Sequence, residues 1–96
     1  MPSYRTILTI GALAPGRAPL DVERAARDAV EATTILEAFQ IDVVRGEPRV
    51  TVRFTGADDG EARAVHDRTT AAVRQVASTP RAVLAKVVSG RSVPLA

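Results

Sequence analysis

The stretch from Phe39 to Thr55 alternates apolar and polar side chains along two runs separated by Arg45-Gly46-Glu47. Phe39, Ile41 and Val43 form one apolar series, and Val50, Val52 and Phe54 form the other. Period-two alternation in β-branched and aromatic residues marks two half-buried strands joined in a hairpin. A two-residue loop at Gly46-Glu47, with glycine at the first central position, puts Arg45 opposite Pro48. The expected register then pairs Val43 with Val50, Ile41 with Val52 and Phe39 with Phe54 on one face. The other face pairs Val44 with Arg49, Asp42 with Thr51 and Gln40 with Arg53. A slip of one residue would set apolar against polar throughout. A sheet with one apolar face needs helices on that face and leaves the other open.

The flanking segments supply those helices. Tyr4 to Leu13 reads as a strand with Leu8, Ile10 and Ala12 inward and Arg5, Ile7, Thr9 and Gly11 outward. Pro15, Gly16 and Pro19 break the chain. A helix follows, with Val22, Ala26, Ala29, Thr33 and Leu36 at helical spacing and Asp21 and Glu23 in its first turn, where the helix dipole favours negative charge. After the hairpin, Asp58 or Asp59 is the expected N-cap of a second helix. Its stripe is Ala62, Val65, Thr69, Ala72, Val73 and Val76. Arg81 to Val88 is a last strand, with Val83, Ala85 and Val87 on one face and Leu84, Lys86 and Val88 on the other. Residues 89–96 read as an irregular tail.

The element order is β-α-β-β-α-β. Right-handed crossovers turn this into an α+β ferredoxin-like plait, a four-stranded antiparallel sheet of order 4-1-3-2 with both helices on one face. The 96 residues make a single domain, 1–96. There is no cysteine, hence no disulfide, thiolate metal site or thiol nucleophile. No secretory leader and no apolar run of membrane-spanning length is read, which points to a cytoplasmic location without membrane contact.

Charge is uneven. The acids all lie between Asp21 and Asp67, so both ends of the chain are basic. In the 4-1-3-2 order the first and last strands are neighbours. Arg5, Arg81, Lys86 and Arg91 are therefore expected along one basic edge. Such an edge serves either to protect an exposed strand from unwanted pairing or to hold an anionic partner.

Four further features carry candidate chemistry. Gly11 to Ala18 has the glycine spacing of a phosphate-binding loop, but Arg17 and Ala18 replace the lysine and hydroxyl residue, and Pro15 removes a donor. It reads as a strand-to-helix turn. His66, the one histidine, has Asp67 as its chain neighbour. Adjacent helical residues point apart, so His66 reads as a boundary residue rather than an acid–base pair or metal ligand. The open sheet face is expected to present Ile7, Val44, Leu84 and Val88, with Arg53, Arg49, Lys86 and Arg5 around them. That apolar content suits pairing with a second copy or docking on a protein. The central strands offer no outward aromatic on which bases could stack, which argues against nucleic acid as partner.

Pro15-Gly16 resembles the Pro-Gly pair in the first strand-to-helix loop of ACT-type regulatory domains, which share the β-α-β-β-α-β order. That resemblance implies a small ligand, often an amino acid, held by the loop at Leu13, Pro15, Gly16 and Arg17. Where those domains have Asp-Arg before the pair, this chain has Leu13-Ala14. Dimeric α+β barrel enzymes stack two such sheets around a pocket, and Asp42, Thr9, Thr51 and Arg53 are the polar groups such a pocket would use here. No nucleophile–base pair is visible among them. The sequence thus favours a non-enzymatic assembly module, forming a dimer and needing no cofactor or metal. Ligand sensing, a barrel enzyme and weak contact with an anionic partner through the basic edge are the alternatives.

Overall fold

The computed structural model describes residues 1–95. Seven elements follow in chain order: β1 Ser3–Thr9, α1 Pro19–Glu31, β2 Leu36–Val44, β3 Glu47–Thr55, α2 Asp59–Arg74, β4 Arg81–Val88 and β5 Arg91–Pro94. The strands form one antiparallel sheet of order β2-β3-β1-β4-β5. Its first four strands have the expected ferredoxin-like order. The fifth corrects the expected irregular tail at 89–96, of which Ala96 lies outside the described residues: Ser89-Gly90 turns the chain with positive φ at both residues, and Arg91–Pro94 pairs with β4. Val93 alone gave little alternation to read, and it is the hydrogen bonding to β4 that makes the strand.

The hairpin forms, but two residues out of the expected register. Val43 pairs with Pro48, Ile41 with Val50 and Phe39 with Val52. A shift of two keeps every side chain on its face, so the apolar pattern fits either register. The turn decides between them. Arg45 and Gly46 have φ of 54° and 81°, the two successive positive values of a type I′ turn, whose twist matches the strands it joins. Glycine is therefore the second central residue, not the first. Phe54 then faces Leu36, not Phe39, after a register shift between Leu36 and Ala38.

The core lies between the helices and the inward face of the sheet. Tyr4, Leu8, Val50, Val52 and Phe54 are buried from the strands, and Val22, Ala26, Val30, Val65 and Val73 from the helices. The Tyr4 and Phe54 rings stack across β1 and β3 with centroids 5.9 Å apart. Gly56 makes room for this: a Cβ there would stand 2.7 Å from a Tyr4 ring carbon. Helix starts follow the capping residues. Asp58 accepts from the Glu61 N–H, and Asp21 accepts from the Ala18 N–H. Arg68 of α2 donates to the Ala29 carbonyl and the Thr33 hydroxyl, which ties down the end of α1.

Candidate functional site

Strand register determines what the uncovered sheet face displays. Tyr4, Thr6 and Leu8 point to the helices, so their partners Lys86, Leu84 and Ala82 do as well. The open face takes the alternate set. One row across the sheet is Asp42, Arg49, Thr9 and Arg81; the next is Gln40, Thr51, Ile7 and Val83; the third is Ala38, Arg53, Arg5, Ala85 and Pro94. Val87 opposes Ser92 in the row beyond. Ile7, Val83, Val87 and Pro94 thus form an aliphatic strip over β1, β4 and β5, while Ala85 between them is only 1% exposed. Arg5 lies across the face to donate to the Ser92 hydroxyl at 2.8 Å.

One end of this face is closed by Glu37. The irregularity in β2 brings its carboxylate over β3 and β1, where it accepts from Ser3, from Thr55 and from the Arg53 guanidinium at 2.9 Å. Partial burial works against the charge. The hydroxyls of Thr55 and Ser3 and the Arg53 guanidinium outweigh it, so the Glu37 pKa lies below the usual carboxylate value. Arg53 is neutralised within the molecule.

The other end is different. Arg49 and Arg81 flank Thr9 in register, one on each side. These three residues line two adjoining hollows. One, of about 440 Å³, is completed by Val44, Arg45 and Glu47; the other, of about 220 Å³, by Ile7 and Val83. The ion pairs among the described residues are Arg27–Glu23, Arg53–Glu37 and Lys86–Asp59. Arg49 and Arg81 are in none of them.

The residues singled out in the sequence are dispersed. Ile7, Val44 and Arg53 lie on the open face. Leu84 does not: it is 6% exposed, opposite Thr6 and packed in the core. Val88 shares its side of the sheet and is exposed at the rim. Both faces of β4 are aliphatic, so its own pattern is ambiguous. Burying Leu84 rather than the smaller Ala85 or Val83 against the helices removes more apolar surface from water. Val83, Ala85, Val87 and Glu37 are the residues that sequence reasoning missed. Only the pairing to β1 and the irregularity in β2 could have found them.

The basic edge is likewise corrected. Arg5 and Arg81 lie on the open face and Arg91 on β5, while β4 is an interior strand. Lys86 points to the helix side, 3.4 Å from the Asp59 carboxylate and 5.8 Å from the centre of the Tyr4 ring. Its amine reaches the rim while its stem covers the core. Tyr4 donates to the same Asp59 carboxylate at 2.7 Å. Burial and that bond push the Tyr4 pKa up to about 12.

The loop residues separate too. Leu13 bridges to Ala77 and helps line an apolar hollow of about 290 Å³ with Ile10, Pro19, Val22, Ile41 and Pro48. Pro15, Gly16 and Arg17 are exposed and line no part of it. His66 is half-buried at the edge of α2, its Nδ1 3.1 Å from the buried Thr6 hydroxyl. Burial lowers its pKa; Asp67 pulls the other way, and Arg74 and Arg63 add to the lowering. A neutral imidazole with Nδ1 as acceptor fits that geometry. Among the described residues no group of three metal-ligating side chains converges, and no helix is long and apolar enough to cross a membrane.

No family model matches the chain, and no curated protein matches it. Among solved structures it is similar to the crystal structure of a protein described as a candidate chlorite dismutase. The TM-score is 0.52 at 18% identity, over 90% of this chain and 42% of that one. The likeness is one of fold. The chain spans less than half the length of that protein.

Proposed function

We propose that this chain is a non-enzymatic assembly module that pairs with a second copy through its open sheet face. The observation that carries the reading is the aliphatic strip of Ile7, Val83, Val87 and Pro94, which no element among the described residues covers. A contiguous apolar patch on one face is a mark of an interaction site. Strands of 7, 9, 9, 8 and 4 residues span on the order of 600 Å² by strand spacing and rise. A standard interface takes about 800 Å² from each partner, so the face approaches the size a stable dimer needs. Arg5, with its stem laid across the face, would add apolar contact while keeping its charge at the margin.

Sedimentation velocity tests this. The wild-type chain should sediment as a dimer at high concentration, and Val83→Lys as a folded monomer. A wild-type chain that stays monomeric defeats the reading.

A second reading keeps the same pairing and adds a reaction in the space enclosed by the two sheets. The likeness to the candidate chlorite dismutase favours it. Turnover of chlorite by the purified wild-type chain, abolished by Val83→Lys, would support it.

A further inference from the structure

We propose that the Arg49–Thr9–Arg81 row is a binding site for a small oxyanionic ligand, a phosphate or a carboxylate. Thr9 is the direct partner of both arginines, on β3 to one side and on β4 to the other. With neighbouring strands about 4.8 Å apart, the two Cα atoms stand roughly 10 Å apart on the same face. Guanidinium groups on long, flexible stems reach a common point above Thr9 from that distance. A threonine hydroxyl beneath that point is a third donor. Two guanidinium forks and a hydroxyl match the acceptor geometry of a phosphate or carboxylate, which arginine binds in bidentate fashion.

The surroundings leave this charge available. Asp42 stands opposite Arg49 on β2, and Glu47 lines the larger hollow, yet neither is among the ion-paired carboxylates of the described residues. Arg45 adds a third guanidinium to the same hollow, so arginines outnumber carboxylates on its lining. The contrast with Arg53 is informative. It lies on the same face but is paired with Glu37, whose carboxylate also accepts from the Ser3 and Thr55 hydroxyls. One end of the sheet is thus electrostatically satisfied from within, and the other holds two like charges either side of one threonine. An anion between them would offset their repulsion. The two hollows, of about 440 and 220 Å³, leave room for a ligand larger than the anionic group itself. The site does not rest on pairing of two sheets, because one copy carries all three residues.

The test is an amide chemical-shift titration of the isotopically labelled chain with inorganic phosphate and, separately, with succinate. Sodium chloride at matched ionic strength is the control, since it reproduces screening alone. Saturable shifts centred on Thr9, Arg49 and Arg81 are expected with at least one of the two probes, and which probe saturates assigns the ligand as phosphate or carboxylate. Arg49→Gln and Arg81→Gln should each weaken binding about tenfold or more, as expected for losing charge-assisted hydrogen bonds. Arg24→Gln, on the exposed face of α1, should leave it unchanged. Val87→Lys, in the aliphatic strip but away from both hollows, should retain binding, which separates this site from the sheet pairing. Should an Arg→Gln variant lose its dispersed spectrum, Thr9→Val replaces it and should weaken binding measurably. Shifts no larger than those in chloride for both probes, or equal losses in Arg24→Gln and Arg81→Gln, would overturn the proposal.

Discussion

The Tyr4 side chain is buried under the sheet, with Gly56 against its ring and its hydroxyl donating a hydrogen bond to Asp59 at 2.7 Å. Its pKa of about 12 in the fold exceeds the ordinary 10.0. The unfolded chain therefore gives up this proton first. Stability from this group is complete below pH 10 and is lost as pH rises through about 12. The chain has one tyrosine and no tryptophan, so tyrosinate absorbance reports this group alone. The titration should be displaced upward and should coincide with alkaline unfolding; Tyr4→Phe should flatten that limb of the stability profile. His66 acts at the other end. Its folded pKa lies below 6.5, so the unfolded chain takes up a proton first, and stability falls as pH drops through that value. His66→Gln should reduce the acid sensitivity measured by thermal melts at pH 5 to 7. The two phenylalanines also differ. Phe54 is fully buried and stacked on Tyr4, so Phe54→Ala should cost about 3–5 kcal/mol in denaturant unfolding. Phe39 is only partly buried, with Arg27 5.0 Å above its ring, and its removal should cost less.

At the scale of elements, the hairpin shows where local pattern stops being sufficient. Phe39, Ile41 and Val43 lie on the helix side of β2 as the alternation expects, but at the free edge of the sheet Ile41 and Val43 stay 52% and 71% exposed. They do not declare which residues they meet, because registers two apart put the same set on the same face. The preference comes from the backbone of the turn. Gly46 has φ of 81° with no atom within 4 Å of where a Cβ would stand, so Gly46→Ala meets only the left-handed backbone penalty. It should cost about 1 kcal/mol, measurable in urea, with no change in the slope of the transition. β4 has the same ambiguity in stronger form, since Val83, Ala85 and Val87 and the alternate Leu84 and Val88 are all apolar. Leu84→Ala should cost ~2–5 kcal/mol as a buried leucine, while Val83→Ala should cost clearly less. The reverse ranking would mean that β4 has been assigned to the wrong face.

For the molecule as a whole, the sheet is a two-sided object with helices on one side. Its exposed side carries a graded surface: a self-neutralised acid–arginine cluster around Glu37, an aliphatic strip in the middle, and unpaired arginines around Thr9. If the strip is an interface, thermal stability should rise with chain concentration, because association draws on the folded state. Melting temperatures measured over a hundredfold concentration range check this, and a constant value would count against assembly.

Element order, strand and helix identity, the inward faces of β1, β2 and β3, and the Asp58 cap were legible in the sequence. Each depends on contacts within a few residues: side-chain period, a capping carboxylate, a glycine or proline break. The candidate site was legible only in part. Ile7, Thr9 and Arg53 were readable as outward because β1 and β3 alternate cleanly. Val83, Ala85 and Val87 were not, nor was the meeting of Arg49 with Arg81 across Thr9, nor Glu37 with Ser3, nor β5 with β4. These residues lie far apart in the chain or on strands whose two faces look alike. Pairing between strands decides them, and that depends on which register satisfies the turn backbone and buries Leu84 together with Tyr4 and Phe54.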